Sequence, residues 1–95
     1  MRKQKIYQII EDYFSNKPVK RVLLFGSFSR DEENNNSDID LILNLDHPIG
    51  LFAIGRYIAD LEKLTNRKID IGTQNSLTPE FLNTIKDDLK IVYEG

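Results

Sequence analysis

The 95-residue chain carries 13 basic and 15 acidic residues, a formal net charge of −2, and no cysteine. This size provides one modest core, so a single domain over residues 1–95 is expected. The charge balance lacks the basic excess from which a nucleic-acid binder draws its phosphate contacts, and without cysteine there are neither disulfides nor thiolate metal sites.

Ile6, Ile9, Ile10, Tyr13 and Phe14 recur at helical spacing and predict a first helix over Lys3 to Ser15, ended by Asn16 and Pro18. Lys20 to Phe25 reads as a strand closed by Gly26-Ser27. Ser29 to Ser37, with its Asn34-Asn35-Asn36 core, reads as an exposed loop, and Asp38 to Leu45 as the second strand. A second helix is expected over Gly50 to Thr65, with Leu51, Ile54, Ile58, Leu61 and Leu64 on its apolar stripe and Asn66 as its cap. Lys68 to Thr73 follows as a third strand. Thr78-Pro79-Glu80 then opens a third helix with an N-cap, a proline in the first turn and a carboxylate near the positive dipole end. Lys90 to Tyr93 is the last strand. The alternation predicts an α/β (α+β) arrangement, a small mixed sheet of about four strands with helices packed on one face.

The chemically informative stretch is Gly26-Ser27-Phe28-Ser29-Arg30, a polar loop, then Ser37-Asp38-Ile39-Asp40-Leu41-Ile42-Leu43. Strand side chains alternate faces, so Asp38 and Asp40 point the same way, roughly 6.7 Å apart. Ile39, Leu41, Leu43 and Leu45 line the opposite, core-facing side. Asp70 between Ile69 and Ile71 repeats the pattern. If the two strands are neighbours, three carboxylates converge. Their repulsion raises pKa values unless a divalent cation relieves it, and oxygen donors suit Mg²⁺. Gly26 permits close approach of a phosphate, Ser27 can donate to its oxygens, and Arg30, about one turn on, can add a charge-assisted contact. Each feature alone is commonplace: a Gly-Ser after a strand is usually a turn, and Asp-x-Asp often marks an edge strand kept soluble by charge. Their conjunction in this order is far more specific and supplies the parts for in-line nucleotidyl transfer.

Gly-Ser, a spacer of about ten residues and Ser-Asp-Ile-Asp-Leu resemble the signature of the DNA-polymerase-beta-like nucleotidyltransferases. Within that superfamily the chain resembles the prokaryotic minimal nucleotidyltransferases (MNT) over nearly its whole length, through Ile69-Asp70-Ile71 to Ile91-Val92-Tyr93-Glu94-Gly95. The resemblance implies the polymerase-beta-like fold, Gly26 and Ser27 as triphosphate ligands, Asp38 and Asp40 as metal ligands, and Asp70 completing the site and acting as base. It further implies AMP transfer from ATP onto a tyrosine of a partner HEPN-domain toxin, with this chain as antitoxin. Where many members have glycine after the motif arginine, this chain has Asp31-Glu32-Glu33, which sets Arg30 apart from the usual pattern.

Other readings fit less well. The loop from Asp31 fails as an EF-hand, having Asn36 in place of the turn glycine and Ile42 in place of the bidentate glutamate. His47 is the sole histidine, next to Pro48 in a loop, and is expected at the surface. Tyr7, Tyr13, Tyr57 and Tyr93 lack the spacing of a stacking platform and are expected in the core or an interface. A non-catalytic antitoxin that masks its partner would not need three intact aspartates, and transfer to a small molecule would normally call for more chain. No apolar run approaches the ~18 residues of a membrane span, and no signal-peptide core follows the basic start. A cytoplasmic setting is therefore expected.

Overall fold

A computed structural model describes residues 3–26, 38–74 and 77–95. Its elements run α1 (Lys3–Phe14), β1 (Arg21–Phe25), β2 (Ile39–Asn44), α2 (Leu51–Thr65), β3 (Ile69–Thr73), α3 (Pro79–Ile85) and β4 (Lys90–Glu94), with a 3-10 turn at Lys86–Asp88 after α3. The expected order holds, with most ends moved by a single residue. In α1, Ile6, Ile10 and Phe14 are fully buried at four-residue spacing, which is one stripe of the helix. Thr78 caps α3 as its sequence requires, its hydroxyl accepting from the Phe81 N–H at 3.1 Å. Asn66 ends α2 in a left-handed conformation, φ 56°, its N–H donating to the Glu62 carbonyl at 2.8 Å.

The strands form one mixed sheet in the order β3-β2-β1-β4. β1 pairs antiparallel with both β2 and β4, whereas β2 and β3 are parallel and joined through α2. This connection carries Asp70 to the strand beside Asp38 and Asp40. One face of the sheet holds the main core: Val22, Leu24, Ile39, Leu41, Leu43 and Ile69 meet Ile6, Ile10 and Phe14 of α1 and Tyr57 and Leu61 of α2. Leu45 packs at its margin. Residues that alternate with these, Phe25, Asp40, Ile42, Asp70 and Gly72, belong to the other face. There α3 contributes Phe81, whose ring meets Phe25 edge to face, centroids 5.9 Å apart.

The buried stripe of α2 differs from the one its leucines and isoleucines suggest. Tyr57, Leu61 and Thr65 point inward, while Leu51 is 85% exposed and Leu64 is also exposed. The cause is aromatic packing: Tyr57 sits edge to face with Tyr13 and Phe14 of α1, at 5.9 and 5.6 Å. Thr65 tolerates burial because its hydroxyl donates to the Leu61 carbonyl at 2.7 Å. The Tyr13 hydroxyl donates to Asp60 Oδ2 at 2.6 Å, joining α1 to α2. Burial first, then that carboxylate, holds the Tyr13 phenol well above the ordinary tyrosine range. The four tyrosines are thus core or core-margin residues, and His47 is exposed. Among the described residues no helix is long and apolar enough to cross a membrane.

Candidate active site

Gly26 follows directly on β1 with φ +86°, a conformation that L side chains rarely adopt. A Cβ there would stand only 2.7 Å from Asp40 Oδ2. Backbone conformation and the neighbouring carboxylate therefore both demand glycine. Asp40 is the cross-strand partner of Phe25 in the β1–β2 ladder and of Asp70 in the β2–β3 ladder. Adjacent strands lie about 4.8 Å apart, so the Asp40 and Asp70 side chains rise side by side from one face. Asp38, two residues before Asp40, belongs to the same face at the mouth of β2.

The surroundings leave their mark on Asp40. Its carboxyl is pushed above the usual carboxylate range, first by burial, then by the charges of Asp70 and Asp38, with the Lys68 ammonium opposing them. Two hydrogen bonds fix the starts of the carrying strands. The Ile39 N–H donates to the Lys68 carbonyl at 2.9 Å, and the Ile69 N–H donates to Glu62 Oε2 at 3.1 Å. Glu62, on α2, thus holds the residue immediately before Asp70.

The donor set is all oxygen, which suits a hard cation. Among the described residues no three His, Cys, Asp or Glu side chains group closely enough to hold a metal ion by themselves. Mg²⁺ is usually held by one or two carboxylates, waters and substrate phosphates rather than by an all-protein cage, so adjacent Asp40 and Asp70 with Asp38 beside them fit it chemically. Ser27 and Arg30, the other expected phosphate ligands, lie outside the described residues, as does the acidic Asp31-Glu32-Glu33 run.

A cavity of about 270 Å³ opens beside the two in-register carboxylates. Asp40 and Asp70 border it, and its walls are Phe25, Ile42, Gly72, Leu77 and Phe81. Ile42, only 1% exposed, is an apolar residue on the face that bears the aspartates. Glu62, Gly72 and this aromatic pair do not stand out in the sequence; a glycine inside a strand is the one available signal. A groove of similar volume between α1 and β4 contains none of the expected site residues.

Carboxylates on adjoining strands, facing a glycine turn with left-handed backbone, provide the framework of a nucleotidyl-transfer site. Similarity to known proteins agrees with this. Residues 3–92 match the nucleotidyltransferase domain family. The chain is 35% identical over 72 residues to Putative protein adenylyltransferase MJ1217 of Methanocaldococcus jannaschii, covering 75% of this chain and 74% of that protein. It is 33% identical over 93 residues to Putative protein adenylyltransferase MJ1379 of the same organism, covering 94% and 87%. Its fold is shared with a chain of a complex between tri-AMPylated Shewanella oneidensis HEPN toxin and MNT antitoxin, at TM-score 0.76 and 16% identity, covering 99% and 74%. A toxin–antitoxin structure with AMP-PNP gives TM-score 0.73 at 19% identity, covering 100% and 75%. The chain belongs to the nucleotidyltransferase domain family and is an enzyme of that class.

Proposed function

We propose that residues 1–95 form one cytoplasmic nucleotidyltransferase domain that moves AMP from Mg²⁺-bound ATP to a tyrosine hydroxyl of a HEPN-type toxin, thereby acting as its antitoxin. The observation that carries the reading is the in-register Asp40–Asp70 pair, with Gly26 packed against the Asp40 carboxylate. In this reading Asp38, Asp40 and Asp70 are the metal ligands, and Gly26, Ser27 and Arg30 hold the triphosphate. Bound magnesium supplies charge neutralisation at the phosphates. Gly26 contributes close backbone approach for the β- and γ-phosphates. Asp70, the more exposed of the in-register pair, receives the acceptor's proton. The acceptor oxygen bonds to the α-phosphorus, the bond from that phosphorus to the bridging oxygen breaks, and pyrophosphate leaves with the electron pair. The proton passes through Asp70 to water.

Support for a protein acceptor comes from the relatives' name, and support for a HEPN partner and for ATP comes from the complexes that share the fold. The test is co-expression with a HEPN-type toxin, followed by mass spectrometry for AMP on its tyrosines. AMP should appear with the wild type and be absent with Asp38→Ala. Neutralisation of the toxin by Asp38→Ala without any transferred AMP would replace this reading with a masking antitoxin.

A further inference from the structure

We infer that the cavity floored by Gly72 is the seat for a flat aromatic ring of the acceptor, so that the site selects a phenolic hydroxyl over an aliphatic one. The inference rests on the transferase reading above and adds to it the place where the acceptor lies and the basis of its selection.

Gly72 is the starting point. Its φ is not positive, so its backbone does not demand glycine, and a Cβ there would meet nothing within 4 Å. Strand interiors ordinarily disfavour glycine, and a glycine among them often marks close approach of a ligand. Here the space it leaves open is the cavity itself. Gly72 lies two residues beyond Asp70 on the same face and is the cross-strand partner of Ile42, as Asp70 is of Asp40. The walls are apolar and partly aromatic, with Phe25 and Phe81 set edge to face at 88°. An apolar cavity of ~150 Å³ suffices to bind benzene, so about 270 Å³ accommodates a phenol ring.

The position of the cavity assigns it to the acceptor. Gly26 follows Phe25, beyond the Phe25–Asp40 pair, whereas Ile42 pairs with Leu23 further back along β1. The order along the face is therefore Gly26, then the carboxylates, then the cavity. In-line displacement places the attacking and leaving oxygens on opposite sides of the phosphorus. With pyrophosphate departing on the Gly26 side, the attacking hydroxyl arrives from the cavity side. A ring seated over Gly72 extends its hydroxyl toward Asp40 and Asp70. There the oxygen bonds to the α-phosphorus as pyrophosphate departs, and its proton is released through Asp70 to water.

The test is NMR titration of the protein with N-acetyl-tyrosinamide, N-acetyl-serinamide and adenosine, alongside calorimetry with Mg²⁺-ATP. Tyrosinamide should shift the resonances of Asp70, Gly72 and Phe81, and serinamide should not. Gly72→Val projects a branched side chain into the cavity from a position where a Cβ meets nothing within 4 Å, and should weaken tyrosinamide binding at least tenfold while leaving ATP affinity within twofold. Phe81→Ala, at an exposed position, removes one wall and should also weaken tyrosinamide. Absence of tyrosinamide shifts in a protein that binds Mg²⁺-ATP would overturn this inference and leave the transferase reading standing. Shifts of these residues with adenosine, together with weaker ATP binding in Gly72→Val, would overturn it equally, for the cavity then seats the base. Failure of the wild type to bind Mg²⁺-ATP would instead remove the transferase reading and this inference with it.

Discussion

Replacing Gly26 with alanine tests the link between backbone and chemistry most directly, because it adds a single carbon. At φ +86° an L residue pays roughly 1–2 kcal/mol relative to glycine. For a domain of this size ~1 kcal/mol corresponds to about 4–8 °C in Tm, so the variant should melt roughly 5–15 °C lower and still fold. The added Cβ also meets Asp40 Oδ2 at 2.7 Å, where ordinary contact begins near 3.4 Å. The oxygen terminates a short side chain with a rotatable χ1, so it yields more readily than the sheet and retreats by roughly 0.7 Å. Displacements near 1 Å in a reacting constellation can lower rates by ~10²-fold, so AMP transfer should fall by about 10–100-fold. The assay pairs thermal melts with transfer of labelled AMP. Gly55→Ala is the control: on the exposed side of α2, with nothing within 4 Å of its Cβ, it should gain ~1 kcal/mol of stability and keep full transfer. A Gly26→Ala enzyme within threefold of wild-type activity would refute the claim that glycine here sets the place of the Asp40 carboxylate.

Three further outcomes follow from the same geometry. Asp40 has a folded pKa above its unfolded 3.8, so between those values the native state binds the extra proton and stability falls as pH rises. In chelator, Asp40→Asn should match the wild type near pH 3 and become relatively more stable as pH climbs through that window; a constant difference across pH would discount the burial and like-charge origin of the shift. Asp70→Asn should retain Mg²⁺-ATP binding in calorimetry and lose ~10²–10⁴ in transfer rate, whereas loss of ATP binding would make Asp70 chiefly a binding ligand. Glu62→Ala strands the Ile69 N–H and should cost about 1 kcal/mol while lowering kcat more than it alters KM for ATP. Glu62→Gln keeps an acceptor oxygen and should restore most of both; equal damage in the two variants would mean that charge, not the hydrogen bond to β3, is what matters.

Most of the fold was legible because its local signals agree. Thr78 is a cap in the chain and in space, and Ile6, Ile10 and Phe14 form the stripe that their spacing announces. Periodicity misled where side-chain chemistry outweighed hydrophobicity. In α2 it favoured Leu51 and Leu64, but Tyr57 locks into Tyr13 and Phe14, and that packing turns the helix so that the two leucines face outward. Nothing along the chain reveals such an aromatic cluster, because its members come from two helices more than forty residues apart.

The site divides along the same line. That Asp38 and Asp40 share a face follows from strand alternation alone, but Asp70 joins them only because β3 pairs with β2, in parallel and in the register that sets Asp70 beside Asp40. A register one residue different would pair Asp40 with Ile69 or Ile71 and turn the third carboxylate away from its partners. Two hydrogen bonds stand at the start of that pairing, the Ile39 N–H on the Lys68 carbonyl between the strands and the Ile69 N–H on Glu62 between β3 and α2. Both acceptors, Lys68 and Glu62, lie outside the motif, and one of them is a helix side chain that no strand pattern would indicate. The cavity is harder still to read, since its floor is a side chain that Gly72 does not have and its walls come from β1, β2 and α3. Sequence patterns disclose groups that react, which must be particular residues at particular spacings. Space for a substrate is set by where the remaining residues stop, and that becomes visible only when the sheet is assembled.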